Sequence, residues 1–180
     1  MRDGSASGDD RPLRGTADRW GGPPRWEDGG VTDTLPPALA AIREDFLALG
    51  VADRLQLLLE FSHGLPDLPE EYAARPELLE PVPECQSPIA FFTELVEGDD
   101  GVAHVRFLAS APPGAPTSRG FAGILAEGID GLTPEEVAAV PSDYPLTLGL
   151  AEAVSPLRLR GMTALLTRTK RQVAERVAAR

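Results

Sequence analysis

Apolar residues recur at three- and four-residue spacing after the first 34 residues, and this period is typical of amphipathic helices. The first helix is predicted to begin at Pro36 and to end at Gly50. Its predicted apolar face consists of Leu39, Ile42, Phe46 and Leu49. A second helix is predicted at about 51–62, with Asp53 as a capping residue and a broad apolar face.

Two strands joined by a tight turn are predicted in the middle of the chain. Before them, residues 63–81 contain four prolines, which predicts a loop with one short turn near 70–74. Residues 89–96 are mostly apolar and aromatic, and residues 102–109 alternate between apolar and polar positions. Because only a short Asp- and Gly-rich stretch separates these two segments, the pattern predicts an antiparallel β-hairpin.

Further helices are predicted after the hairpin. Thr117 or Ser118 is expected to cap the first, whose apolar positions are Phe121, Ile124, Leu125 and Ile129. The run TPEE at residues 133–136 is a capping box that begins a short helix. Ser155 and the following proline begin a long terminal helix. Its predicted apolar face consists of Met162, Leu165, Leu166, Thr169, Val173 and Val177. The predicted fold class is therefore α+β, with helices packed on a small antiparallel sheet.

Composition divides the chain near residue 34. Residues 1–34 are rich in Gly, Pro, Asp and Arg and poor in aliphatic residues, so they are predicted to be disordered. Residues 35–180 are predicted to form one domain. The sequence lacks an apolar run long enough for a membrane span and lacks a recognisable secretory leader. Since a lone cysteine cannot form an internal disulfide, a reducing cytoplasm is the expected location.

The net charge of −11 argues against general nucleic-acid binding, which depends on clustered basic residues. The C-terminal residues 151–180 differ from the rest of the chain, because they carry seven basic and only two acidic residues. The ordinary interpretation of such a segment is a solvated helix face. The alternative is a binding surface for a partner.

The only cysteine, Cys85, lies in the stretch PVPECQSP, a polar turn bounded by prolines. Connections of this kind run over the surface, where an unused thiol is a liability, so the position favours chemistry over simple packing. One Cys and two His supply too few ligands for a metal site. A Cys–His hydrolase with His63 as the base is a weaker interpretation. Sulfur transfer requires only an accessible thiol and no cofactor, and it is the interpretation that remains.

The stretch VPECQSPIAFF resembles the hallmark of SufE-like sulfur acceptors, in which a Cys-Gln-Ser tripeptide lies between a loop and a strand. The likeness extends to LQLLLEFSHGLPDLPEE, RGFAGILAEGIDGLTPEEVAAVP and SPLRLRGMTALLTRTKRQV, and it covers about residues 36–176. Family members commonly have Gly before the cysteine, where this chain has Glu84. They also commonly have an aromatic residue, often Trp, a few residues later, where this chain has Phe91 and Phe92.

The resemblance implies a fold shared with scaffold proteins of the IscU type. It also implies a partner, a pyridoxal-phosphate-dependent cysteine desulfurase, and delivery of sulfur to an iron–sulfur cluster scaffold. By position, Cys85 would accept the persulfide sulfur, Gln86 and Ser87 would complete its loop, and Arg158 would stabilise the thiolate or dock the partner.

At rest, Cys85 is expected to be sheltered by Phe91, Phe92 or the neighbouring helices, because an exposed persulfide would be lost to other thiols. The alternative function is a non-catalytic interaction module in which Cys85 is structural and the basic C-terminal helix is the binding surface.

Overall fold

The computed structural model describes residues 35–99 and 101–180, which form seven α-helices, one 3₁₀ turn and three strands. The prediction of disorder for residues 1–34 lies outside the described residues. In chain order the elements are α1 (Pro37–Ala48), α2 (Val51–Gly64), α3 (Glu70–Ala73), a 3₁₀ turn (Pro76–Leu78), β1 (Glu80–Pro81), β2 (Ala90–Glu97), β3 (Ala103–Ser110), α4 (Pro116–Ile129), α5 (Pro134–Ala139), α6 (Tyr144–Thr147) and α7 (Pro156–Ala178).

The first two helices form as their apolar spacing predicts. Leu39, Ile42 and Phe46 of α1 are buried. Asp53 is not a cap, however, because α2 begins at Val51 with Gly50 as its N-cap. Asp53 instead lies in the first turn of α2, where a negative charge is favourable beside the helix dipole.

The sheet is antiparallel, with strand order β1-β2-β3. The predicted hairpin is confirmed: β2 and β3 pair in continuous register from Ala90 opposite Ser110 to Glu97 opposite Ala103. The loop predicted over residues 63–81 is wrong at its end, because Glu80 and Pro81 pair with Phe91 and Ala90. Strand β1 therefore makes a second hairpin with β2, and the cysteine lies in its connection.

Helix α4 lies at the centre of the domain, where it packs against α1, α2, β3 and α7. Its four predicted apolar positions are all fully buried: Phe121, Ile124, Leu125 and Ile129. The predicted cap is wrong, because α4 begins at Pro116 and no side chain caps it.

Helix α7 packs along the sheet and against α4, α5 and α6. The capping box before α5 and the cap at Ser155 are both confirmed. The predicted apolar face of α7 is buried as far as Val173, whereas Val177 is 45% exposed. None of the described helices is both long and apolar enough to cross a membrane.

A buried glutamine ties α7 to the sheet. Gln172 Oε1 accepts hydrogen bonds from the backbone N–H of Thr93 at 2.9 Å and from its hydroxyl at 3.0 Å. Its amide nitrogen donates to Glu80 Oε2 at 2.9 Å. Because both ends of the amide are satisfied in a buried position, α7 is held in one register beside β1 and β2.

Candidate functional site

Residues 83–88, here called the Cys85 turn, form the tip of the β1–β2 hairpin. The base of the turn is fixed, because the N–H of Val82 donates to the carbonyl of Ile89 at 3.0 Å and both side chains are buried. Within the turn, the N–H of Cys85 donates to the carbonyl of Val82 at 3.1 Å. The tip therefore projects from an anchored base toward the helices α4 and α7.

The Cys85 thiol is half-buried and rests on a glycine of α7. A Cβ atom built on Gly161 would lie 2.9 Å from Cys85 Sγ and 3.3 Å from Cys85 Cα. Phe121, Met162 and Leu165 surround the deeper side of the thiol. Gly161 thus permits an approach of the turn to the helix that a larger residue would block.

The prediction that Cys85 is sheltered at rest is confirmed, and the neighbouring helices provide the shelter. The two phenylalanines that were also proposed for this role lie elsewhere. Phe91 is fully buried and stacks on Phe107, at a centroid distance of 6.1 Å. Phe92 packs against Tyr72, and the Arg176 guanidinium lies 4.2 Å from the centroid of its ring. The shelter of Cys85 comes from α4 and α7 instead.

On its outer side the thiol borders a cavity of about 110 Å³. The Cys85 turn contributes Gln86 and Ser87 to the lining, α7 contributes Arg158, and the first turn of α4 contributes Thr117 and Ser118. The structure therefore brings together all four residues that the resemblance selected, although Arg158 is 73 positions away from Cys85 in the sequence. Their chemical roles stay a prediction.

The electrostatic surroundings keep the thiol protonated. Burial raises the pKa of Cys85 above its ordinary value, and the charge of Glu84 raises it further. A hydrogen bond from the Ser118 side chain acts in the opposite direction and lowers this pKa. Because the net shift is upward, the resting cysteine is a neutral thiol at pH 7 and a weak nucleophile.

The Glu84 carboxylate binds Arg168 of α7 through two hydrogen bonds. Arg168 Nε donates to Oε2 at 3.1 Å and Nη2 donates to Oε1 at 2.7 Å. The third guanidinium nitrogen of Arg168 donates to Glu80 Oε1 at 2.7 Å. The hydrogen bonds from Arg168 hold the pKa of the Glu84 carboxyl below its ordinary value.

Sequence reasoning missed Arg168, Glu80, Ser118 and Gly161 as parts of this site. Arg168 lies 84 residues from Glu84 and carried no local signal. Gly161 did carry one, since a glycine inside a helix costs stability and commonly marks close packing.

The two histidines lie elsewhere. His63, in the last turn of α2, is exposed and lines neither cavity beside Cys85. The ring nitrogen Nδ1 of His104 lies 2.8 Å from the carbonyl oxygen of Gly131. Across the described ranges, no group of three or more His, Cys, Asp or Glu could hold a metal ion. The arrangement therefore does not favour the Cys–His hydrolase.

The fold and the site define a class of protein: a small α+β domain that presents one sheltered cysteine at the tip of a hairpin, between two helix termini. Residues 40–173 match the family described as SufE, an Fe-S metabolism associated domain. The chain belongs to the SufE family, as its sequence pattern predicted.

Relatives and a solved structure agree with this assignment. Two SufE-like proteins of Mycobacterium tuberculosis, from strains CDC 1551 and H37Rv, are each 46% identical to this chain over 142 residues. The match covers 79% of this chain and 95% of each relative. A solution structure of a hypothetical protein from Thermus thermophilus matches with a TM-score of 0.69 and 37% identity, over 80% of this chain and 98% of that chain.

Proposed function

We propose that this protein accepts sulfur on Cys85 from a pyridoxal-phosphate-dependent cysteine desulfurase, stimulates that enzyme, and passes the sulfur to an iron–sulfur cluster scaffold in the cytoplasm. The observation that carries the proposal is the position of the only cysteine: it lies half-buried at the tip of a hairpin, sheltered by two helices and bordered by a small cavity. The membership of an Fe-S metabolism family agrees with this role.

The transfer step requires no net oxidation or reduction. The thiolate of Cys85 attacks the outer sulfur of a persulfide on the desulfurase cysteine, and a new S–S bond forms at Cys85. The S–S bond within the partner's persulfide breaks at the same time, and the partner's cysteine leaves as a thiolate. One proton leaves Cys85 before the attack, and the departing thiolate can take up one proton afterwards.

The upward pKa shift of Cys85 supports activation of the thiol on docking. In the resting protein, burial and the charge of Glu84 raise the pKa of the thiol, so little thiolate is present at pH 7. Movement of the turn toward the partner would remove the burial that dominates this shift. Arg158 and the first turn of α4 border the cavity beside the resting thiol, and their positive electrostatic character would stabilise a persulfide anion when the loaded turn returns to this position.

Intact-mass spectrometry tests the proposal directly. The protein is mixed with a cysteine desulfurase and free cysteine without reductant, and the mass of one or more additional sulfur atoms is expected on the wild-type protein. Cys85→Ser should remain unloaded, while Ser142→Ala, a change at an exposed serine outside the site that keeps the thiol, should still load. Loading that survives Cys85→Ser would overturn the assignment.

Urea unfolding and desulfurase stimulation of the Cys85→Ala variant distinguish this proposal from the non-catalytic interaction module. If Cys85 were only structural, Cys85→Ala would lower the midpoint of urea unfolding and leave desulfurase stimulation intact. Our proposal expects the reverse: stimulation is lost, and the free energy of unfolding changes by less than about 1 kcal/mol because the side chain is small and only half-buried.

A further inference from the structure

We propose that Arg168 is a positioning residue that holds the Cys85 turn against α7 through Glu84, and that release of this ion pair sets how often the thiol becomes exposed. The Glu84–Arg168 ion pair is here called the latch. It deepens the proposed sulfur-acceptor function, and only its biological purpose rests on that function. Its physical operation concerns the resting protein alone.

The ion pair has a geometry that fixes the turn. Two nitrogens of the Arg168 guanidinium bind the two oxygens of Glu84, at 3.1 and 2.7 Å. A fork of this kind fixes both the distance and the orientation of the carboxylate. Glu84 is joined directly to Cys85 in the chain and is the turn's only charged residue, so the latch acts on the peptide next to the nucleophile.

Arg168 is held in place independently of the turn. Its third nitrogen donates to Glu80 of β1 at 2.7 Å. Glu80 also accepts hydrogen bonds from Arg171 and from Gln172, and Gln172 is bound to Thr93 of β2. Arg168 is therefore part of the fixed contact between α7 and the sheet, whereas Glu84 is on the movable tip.

The latch can open at low cost. Arg168 keeps its bond to Glu80 when Glu84 leaves, so no unpaired guanidinium remains against the protein. The Glu84 side chain is already 42% exposed and moves into water. A buried ion pair would strand an uncompensated charge on opening, but this one does not. The arrangement therefore suits a contact that opens and closes repeatedly.

The moving segment has defined ends. Val82 and Ile89 are buried and joined by a backbone hydrogen bond, so the motion is confined to residues 83–88. When the latch is closed, the carbonyl oxygen of Glu84 and the thiol of Cys85 both lie against Gly161. Loss of the ion pair loosens this contact and exposes the thiol to solvent.

The test measures the rate at which iodoacetamide, a neutral reagent, alkylates Cys85 in the resting protein at fixed pH. Arg168→Gln removes the latch and leaves the charge of Glu84 in place. Loss of a cation near the turn does not favour the thiolate, so a faster reaction reports exposure. We expect an increase of about twofold to fivefold, the range that corresponds to an exposed ion pair. The alkylation rate of Arg168→Lys, which keeps the charge and loses the fork, should fall between the rates of the wild type and of Arg168→Gln.

Arg171→Gln is the matched control. It makes the same chemical change one turn further along α7, and Arg171 contacts Glu80 and Glu175 but not Glu84. We expect the wild-type alkylation rate for this variant. A rate in Arg168→Gln that equals the wild-type rate, or a rate in Arg171→Gln that rises equally, would overturn the latch.

A double-mutant cycle tests whether Arg168 acts on the Cys85 turn through Glu84. In a Glu84→Gln background the latch is already open, so adding Arg168→Gln should leave the rate unchanged. A second increase of the same size would show that Arg168 acts by another route and would overturn the proposal. Hydrogen exchange completes the test: amides in residues 83–88 should exchange faster in Arg168→Gln, whereas faster exchange along the whole of α7 would contradict a local latch.

The experiment separates the two proposals because it contains no desulfurase. Failure of Cys85 to load sulfur would leave the alkylation rates unaffected. Conversely, unchanged alkylation rates would leave sulfur loading on Cys85 possible.

Discussion

Two of the contacts in this domain that depend on glycine differ in what the glycine faces. At the contact between α2 and α4, a Cβ atom on Gly120 or Gly123 would collide with the backbone carbonyl oxygen of Leu58 or of Phe61. At the contact between α7 and the Cys85 turn, a Cβ atom on Gly161 would press chiefly on the cysteine thiol, at 2.9 Å. The first neighbour is a helix backbone, and the second is a side chain on a turn.

This difference separates the parts of the fold that must stay fixed from the part that moves. Helix α2 is packed into the core, with Leu58 buried, so it cannot retreat without unpacking its neighbours. The Cys85 turn can retreat once the Glu84–Arg168 ion pair opens, because its tip carries mostly exposed residues and its anchors lie at its base. The same substitution should therefore affect stability at one contact and thiol exposure at the other.

The largest effect is expected for Gly123→Ala. The added methyl group meets the Phe61 carbonyl, and overpacking of this kind costs about 1–3 kcal/mol of unfolding free energy, or more when a backbone has to move. Urea unfolding followed by circular dichroism should show a clearly lower midpoint. Gly64→Ala is the control, because a Cβ atom there meets nothing within 4 Å and the change should be neutral or slightly stabilising.

A smaller effect on stability, and a distinct effect on the site, is expected for Gly161→Ala. The gain in helix propensity, about 1 kcal/mol, offsets most of the cost of displacing the turn. Alkylation of Cys85 by iodoacetamide should become several-fold faster because the thiol is pushed away from α7. A fall in the urea midpoint as large as that of Gly123→Ala, without faster alkylation, would show that the turn is as rigid as α2.

A second contrast, between contacts made by residues close in the sequence and contacts made by distant ones, explains which features the sequence predicts. Helix α1, the β2–β3 hairpin and the capping box at Thr133 depend on residues a few positions apart, and all three were predicted. Strand β1 was not, because its two residues acquire their structure only by pairing with β2. A stretch that short has no detectable period of its own.

Ser118 shows how a distant contact can overrule a local rule. Serine near the start of a helix favours a cap, but α4 begins at Pro116, and Ser118 instead lines the cavity beside Cys85 and lowers the pKa of its thiol. The position of Cys85 could be predicted because its motif is contiguous. Its partners Ser118, Arg168 and Gly161 could not, since the fold brings them to the turn from α4 and α7.

The smallest expected effect is a pH dependence of the unfolding free energy that arises from the carboxyl groups bound to Arg168. The pKa of Glu84 is lowered by its hydrogen bonds from Arg168. Burial alone would raise the pKa of Glu80, but hydrogen bonds from Gln172, Arg168 and Arg171 outweigh burial and lower it. A carboxyl group with a lowered pKa in the folded state stabilises the fold above its ordinary pKa, and this contribution disappears as the pH falls through the lowered value.

The Glu84→Gln variant isolates the pH-dependent stability that comes from the Cys85 turn. At pH 7 this variant should unfold at a slightly lower urea concentration than the wild type, by about 0.5 kcal/mol, because exposed ion pairs are weakened by solvent. The difference should shrink toward zero as the pH is lowered below the ordinary carboxyl pKa of 4.5, since the wild-type carboxyl then becomes neutral as well. The deficit of Gly123→Ala should persist over the same range, because its clash with a backbone carbonyl involves no titrating group. A pH dependence shared by both variants would show that acid weakens the whole domain rather than the attachment of the Cys85 turn to α7.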